Sequence, residues 1–174
     1  MKLYRISGLL IAFSVFITGL ASAETPTSIS EGCFAPGTRI TMVDQSLRPI
    51  ENVTVGDIIF NPATKGGSVV KRVVKSPEPY HLIKISTAKN ILTVSRLHPM
   101  ITKNGIKKAA NVKVGELLLM SDGKYASVVR VGPSPVFSNQ HVFNVELIAS
   151  KSGERRLIAE GIVTGDIVIQ NSLK

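Results

Sequence analysis

The 174-residue chain contains one cysteine, no tryptophan and three histidines. A single cysteine excludes an internal disulfide. In an exported chain it points to a reactive thiol or an intermolecular bridge. Aromatic residues make up only 5% of the chain, and its lysines and arginines do not cluster on a helix. That combination lacks the stacking and phosphate-tracking surface of a nucleic-acid binder, so no nucleic acid is expected as a partner. The longest apolar run, Gly8 to Leu20, is too short for a spanning helix of about 20 residues. No long stretch carries the helical period of 3.6, which makes the expected fold class all-β. No metal site and no cofactor are expected.

The short apolar run has a different use. Lys2 and Arg5 precede it, and Ala21-Ser22-Ala23 follows it as an A-x-A cleavage site. Residues 1–23 therefore read as a secretory signal peptide, and the protein is expected to be secreted or periplasmic. Once that segment is removed, no stable membrane anchor is expected. Loss of Lys2 and Arg5 takes the net charge from +9 to +7, a surface that favours anionic partners. Residues 24–32 are small and polar, a short flexible lead. Residues 33–174 are long enough for one domain with a sizeable core.

Beyond the lead, short Val- and Ile-rich runs alternate with turn signals. Strands are predicted at 39–43, 58–60, 69–74, 81–86, 91–94, 100–102, 117–120, 125–131, 141–147, 156–159 and 167–169. Single helical turns are predicted at 50–53 and 109–112. Gly66-Gly67, Asn104-Gly105 and Asp122-Gly123 read as loop punctuation. An internal repeat is also present. Asn52-Val53-Thr54-Val55-Gly56-Asp57 matches Asn111-Val112-Lys113-Val114-Gly115-Glu116 at an offset of 59. Ser68-Val69-Val70-Lys71 matches Ser127-Val128-Val129-Arg130 at the same offset, and His81 matches His141 one residue later. Two copies are too few for a solenoid, so a pseudo-twofold pair packed into one body is expected. Duplicated residues serve the architecture. His81 and His141 are expected to be buried and hydrogen-bonded, and Asp57 and Glu116 to cap turns. His98 has no histidine twin.

The cysteine stands in Cys33-Phe34-Ala35-Pro36-Gly37-Thr38, directly after Gly32. Its thiol can attack the Gly32 carbonyl carbon and turn the Gly32–Cys33 amide into a thioester. Sulfur must lose its proton, and the departing nitrogen must gain one. Glycine before the nucleophile eases the approach of sulfur and tolerates unusual backbone angles.

These residues resemble the Hint family, the hedgehog and intein autoprocessing domain. The likeness runs from Cys33 to the C-terminus. Cys33 to Ile40 fits C-[FL]-x-x-G-T-x-[IV], and Pro49 to Asp57 fits P-I-E-x-[LIV]-x-x-G-D. Ser95-Arg96-Leu97-His98 is similar to T-x-x-H, with Ser for Thr. Ala109 to Glu116 and Val142-Phe143-Asn144-Val145 resemble later segments of the family. The resemblance implies a horseshoe-like all-β fold with two pseudo-symmetric β-units. It also implies a single-turnover, self-cleaving activity. Cys33 would be the nucleophile, His98, titrating near neutrality, would be the acid for the leaving nitrogen, and the Ser95 hydroxyl would polarise the scissile peptide. The chain's own N-terminal segment would be the substrate, and an external thiol or other nucleophile the acceptor.

The C-terminal end departs from the family. Inteins end in A-x-G-[IV]-x-x-H-N before Cys, Ser or Thr. Counting from Ala159 puts Gly165-Asp166 at His-Asn, and sliding four residues gives Gln170-Asn171-Ser172. Asp166, Asn171 and Ser172 are thus the candidates for a C-terminal step. The penultimate histidine is missing in either register, so full splicing is not expected. The expected function is cleavage of the bond before Cys33. The rival from another class is a catalytically silent Hint-like β module that binds a partner through its basic surface. A trans-acting cysteine hydrolase is less supported, because His98 has no evident orienting Asn or Asp. Mass and N-terminal residue would separate these: Glu24 first means uncleaved, Cys33 first means processed.

Overall fold

A computed structural model describes residues 32–78, 81–134, 141–149, 151 and 154–173. The expected signal peptide and nearly all of the lead lie outside them. No helix among the described residues is long and apolar enough to cross a membrane.

The chain order is β1 (Arg39–Thr41), β2 (Leu47–Pro49), a 3-10 turn (Ile50–Asn52), β3 (Ile58–Asn61), β4 (Gly66–Pro77), β5 (Ile83–Thr87) and β6 (Ile91–Val94). There follow β7 (Pro99–Thr102), β8 (Gly105–Lys108), a second 3-10 turn (Ala109–Asn111), β9 (Leu117–Leu119), β10 (Tyr125–Pro133) and β11 (His141–Leu147). The chain closes with β12 (Arg156–Ala159), β13 (Ile162–Gly165) and α1 (Ile167–Ser172). Among the described residues, one sheet runs β2-β1-β12-β13-β7-β9-β10-β5-β6, with β8 beside β7. A second runs β11-β4-β3.

The repeat governs this topology. Each half forms a short hairpin (β1–β2, β7–β8), a 3-10 turn, and a second hairpin (β3–β4, β9–β10). The second strand of each second hairpin is long and changes partner midway. β4 leaves β3 after Val69 and pairs with β11 from Val70 on. β10 leaves β9 after Ser127 and pairs with β5 from Val128 on. Each half therefore pairs its long strand with a strand of the other half, which is the expected pseudo-twofold arrangement. The turns agree in detail. Asp57 accepts a hydrogen bond from the Thr54 N–H at 2.7 Å, and Glu116 accepts one from the Lys113 N–H at 3.0 Å. Arg48 pairs with Asp57 as Lys107 pairs with Glu116. Gly56 and Gly115 both take positive φ (91° and 89°), where a Cβ would be strained.

The inward residues of both halves form one apolar core, including Phe34, Ile40, Ile50, Ile85, Leu92, Leu118, Leu147 and Ile162. Strict alternation in β5, where Ile83, Ile85 and Thr87 are buried, matches the period of two expected for a strand facing a core. Four sequence expectations need correction. Residues 167–169 are helical, because the Asp166 carboxylate caps the Val168 and Ile169 N–H groups. β2, β8 and β13 were not foreseen. β2 and β8 are three and four residues long and show no alternation of apolar and polar residues, and the sequence of β13 overlaps the C-terminal processing motif. Gly66-Gly67 lies within β4, where the Ile58 side chain of the facing strand fills the space a Cβ at Gly67 would need. His81 and His141 are exposed rather than buried, because each stands outside the first inward residue, Leu82 or Val142.

Candidate active site

The segment carrying the cysteine threads between two strands. Phe34 N–H donates to the Phe143 carbonyl at 2.7 Å, and Phe143 N–H returns a bond to the Phe34 carbonyl at 3.0 Å. Ala35 N–H donates to the Thr93 carbonyl at 3.1 Å. Pinned by β11 on one side and β6 on the other, Cys33 is fully buried among Ala35, Leu82 and Val142. Its sulfur lies 4.0 Å from the Ser76 hydroxyl on β4.

The Gly32–Cys33 peptide is gripped at both polar ends. On the nitrogen side, Cys33 N–H donates to the Ser95 hydroxyl oxygen at 2.7 Å. The Ser95 N–H in turn donates to the Cys33 carbonyl at 2.8 Å. On the carbonyl side, the Gly32 oxygen accepts from His98 Nδ1 at 3.0 Å and from the Asn144 side-chain amide. Two N–H donors converging on one carbonyl oxygen draw electron density from its carbon and await the charge that attack would place there. Glycine is sterically required at position 32. A Cβ there would lie 2.6 Å from both the His98 Cα and its backbone nitrogen.

His98 is held by its backbone and its ring. Its N–H donates to the Ser95 carbonyl at 3.2 Å, its carbonyl accepts from Ala109 N–H at 2.8 Å, and its ring lies 4.2 Å from that of Phe34, centroid to centroid. A carbonyl can only accept, so the Nδ1 facing Gly32 carries the proton. Nε2 is then a bare acceptor, buried and without a hydrogen-bond partner. Burial pushes the imidazole down from its ordinary 6.5 to about 4, partly opposed by the Gly32 carbonyl bond. His98 is neutral at pH 7 and faces the Gly32 carbonyl oxygen, whereas the resemblance implies an acid at the nitrogen. Ser95 is the side chain on the nitrogen. The backbone twin of His98 in the first half is Thr38, whose N–H bonds the Ala35 carbonyl and whose carbonyl takes the Ile50 N–H.

Asn144 was not foreseen as a site residue. It lies in the Val142-Phe143-Asn144-Val145 segment, fully buried. Its Oδ1 accepts from Val145 N–H at 2.8 Å, which fixes which end of the amide faces Gly32. A buried amide at an inward position of an apolar strand was the available signal, since such a group must find partners. Ser76 on β4 and Gln170 on α1 complete the surroundings; Ser76 lies in no motif, and Gln170 stands where the slid C-terminal register has the penultimate histidine. The Gln170 Oε1 accepts from Asn144 Nδ2 at 3.3 Å.

The candidates for a C-terminal step lie elsewhere. Asp166 is buried, and both its oxygens are occupied: Oδ1 by the Val168 and Ile169 N–H groups, Oδ2 by Leu147 N–H at 2.9 Å and by Arg155. Burial raises its carboxyl above the usual range, against those hydrogen bonds. Asn171 is exposed, and the Ser172 hydroxyl turns back to the Ile169 carbonyl at 2.6 Å. No group of three His, Cys, Asp or Glu among the described residues is placed to hold a metal ion. An open groove of about 640 Å³ lined by Lys107, Lys108, Asn111 and Lys113 provides a basic surface.

No protein-family profile matches the chain. No curated protein matches it significantly either. Solved structures do. The crystal structure of gp41-1 intein is 19% identical with a TM-score of 0.66, over 79% of this chain and 100% of that one. A bacterial intein-like domain from Clostridium thermocellum is 20% identical with a TM-score of 0.67, over 77% of this chain and 98% of that one. A DnaB intein from Synechocystis sp. PCC 6803 is 16% identical at 0.64, over 78% and 98%. The chain has the all-β fold of the inteins.

Proposed function

We propose that this domain cleaves its own chain before Cys33. The thiol sulfur bonds to the Gly32 carbonyl carbon, the carbon–nitrogen bond breaks, and the thiol proton ends on the Cys33 amine. The product is a thioester between Gly32 and Cys33, which an external thiol or other nucleophile resolves. The observation that carries this reading is the convergence of His98 Nδ1–H and Asn144 Nδ2–H on the Gly32 oxygen, beside the chain's one thiol.

Each residue then has a role set by its position. His98 and Asn144 stabilise the developing oxyanion, and a neutral imidazole keeps its donor proton aimed at that oxygen through the working pH range. Ser95 serves the nitrogen. In the resting amide its oxygen accepts the N–H, and as the nitrogen becomes pyramidal the hydroxyl can turn to donate instead. Ser76 is the polar group beside the sulfur. A splicing step is not part of this reading, because Asp166 is committed to capping a helix and Asn171 is exposed. Export in the signal-peptide sense belongs to the same proposal, with the segment ending at Gly32 as the released product.

The test is incubation of the purified protein with a small thiol, followed by intact mass. The processing reading predicts thiol-dependent loss of everything before Cys33 in the parent and none in Cys33→Ala. The second reading, a silent β module, is favoured by the basic groove at Lys107, Lys108 and Lys113. It predicts no loss in either protein.

A further inference from the structure

We infer that Gln170 is a positioning residue for the cleavage, and that helix α1 is the element that sets the Asn144 amide on the scissile carbonyl. The inference rests on the processing reading and extends it to the C-terminal segment.

The Asn144 amide is engaged at its oxygen and at both its hydrogens. Its Oδ1 is taken by Val145 N–H at 2.8 Å. Its Nδ2 has two hydrogens, one for the Gly32 oxygen and one for Gln170 Oε1 at 3.3 Å. Val145 N–H settles which end of the amide faces Gly32, but two bonds still leave play in the last side-chain torsion, a soft one in asparagine. Gln170 is the third anchor and takes up that play. The contact is shielded, since Asn144 is fully buried and Gln170 only 6% exposed.

Gln170 is itself held on a rigid mount. Helix α1 is docked on β11 at a second point, where Asp166 Oδ2 accepts from Leu147 N–H at 2.9 Å. The Gln170 N–H donates to the Asp166 carbonyl at 3.1 Å, so the two docking side chains are one helical turn apart on the same face. Along β11 their partners are Leu147 and Asn144. Gly165 lets the helix start close in, since the Ile169 side chain fills the space beside it. The C-terminal stretch thus becomes a brace for the N-terminal chemistry.

Two variants and one spectroscopic measurement test this. Gln170→Leu keeps the bulk and removes the acceptor, leaving a buried N–H unpaired. Thiol-dependent release should slow about 10- to 100-fold, while the protein stays folded and its urea midpoint falls only as one unpaired buried N–H requires. Gln170→Glu keeps an acceptor but adds a charge that opposes the oxyanion. The other ionisable groups on this side are Cys33, His98 and the Asp166–Arg155 pair, all retained in the parent. The rate ratio of parent to Gln170→Glu should therefore widen as pH rises and close on acidification. A purely structural role for Gln170 would not produce that profile. Parent-like rates for both variants across pH would overturn the inference.

The spectroscopic arm works even where no cleavage occurs. In a Cys33→Ala background, the two Asn144 side-chain amide protons should both be protected from solvent exchange by NMR. Gln170→Leu should abolish the protection of one of them. Unchanged protection of both would overturn the inference whatever the parent does. Absence of Cys33-dependent release with protection lost on Gln170→Leu would instead sink the processing reading and leave the brace standing.

Discussion

Replacing Gly32 by alanine tests how tightly the bond proposed to be cleaved is held. The added methyl would sit 2.6 Å from the His98 Cα and backbone nitrogen and 2.7 Å from the Leu97 carbonyl carbon. Carbon atoms prefer separations of about 3.5–4.0 Å, so the overlap is roughly 1 Å. The obstructing atoms are backbone, pinned by the His98 N–H to the Ser95 carbonyl and by Ala109 N–H to the His98 carbonyl. They cannot rotate aside as a side chain would. The substrate peptide must shift instead, moving its oxygen away from His98 Nδ1 and Asn144. A misplacement of about 1 Å costs on the order of 10²-fold in rate. Loss of the segment before Cys33 should be followed by intact mass over time, in added thiol, for parent and Gly32→Ala. The strand pairings of Phe34 and Ala35 should survive, so the protein should stay folded, with an overpacking cost of about 1–3 kcal/mol in urea unfolding. A Gly32→Ala protein that releases its segment at the parental rate would show that the observed contact does not constrain the reacting peptide.

The remaining perturbations test the donors and the helix. Asn144→Ala removes one oxyanion donor and should slow thiol-dependent release by about 10²–10³-fold; a loss below threefold would remove Asn144 from the machinery. In the Cys33→Ala background, acid should destabilise the fold through His98. Its folded value of about 4 lies below the ordinary 6.5, so the unfolded chain binds more protons between those limits. Stability is full above about 6.5 and falls by about 1.4 kcal/mol per pH unit, approaching about 3 kcal/mol by pH 4. His98→Asn, which keeps a donor but does not titrate, should lose about 2 kcal/mol less than its His98 control between pH 7 and pH 5 in urea unfolding. Equal losses would contradict a buried neutral imidazole. Asp166→Ala should cost about 3 kcal/mol by the same assay, since it uncaps α1 and strands both Leu147 N–H and Arg155; a cost under 0.5 kcal/mol would refute the assigned cap.

The repeat was legible because turn chemistry leaves marks. Gly56 and Gly115 need positive φ, and Asp57 and Glu116 need a nearby N–H, so both copies keep recognisable residues at an offset of 59. The exchange of strand partners at Val70 and Val128 was not legible, because long-range pairing leaves no local pattern. Around the bond itself, Cys33, Ser95 and His98 stood out through motif and scarcity. Their division of labour did not. Which end of a peptide a side chain addresses depends on backbone approach, and only the folded chain puts His98 on the oxygen and Ser95 on the nitrogen. Asn144 and Gln170 were hidden by ordinary composition, an amide in a strand and an amide in a short helix. His81 and His141 misled for the opposite reason. Duplication reflected a shared strand-end position, and that position is exposed.

The most direct test of the thioester is the chemical form of the released segment. The purified protein should be treated with hydroxylamine near neutral pH and the small product analysed by tandem mass spectrometry. A thioester at Cys33 predicts a segment whose last residue, Gly32, carries a hydroxamate, formed in the parent and absent in Cys33→Ala. A segment ending in a free Gly32 carboxylate, or a Gly32 hydroxamate that still forms in Cys33→Ala, would contradict attack by the Cys33 sulfur.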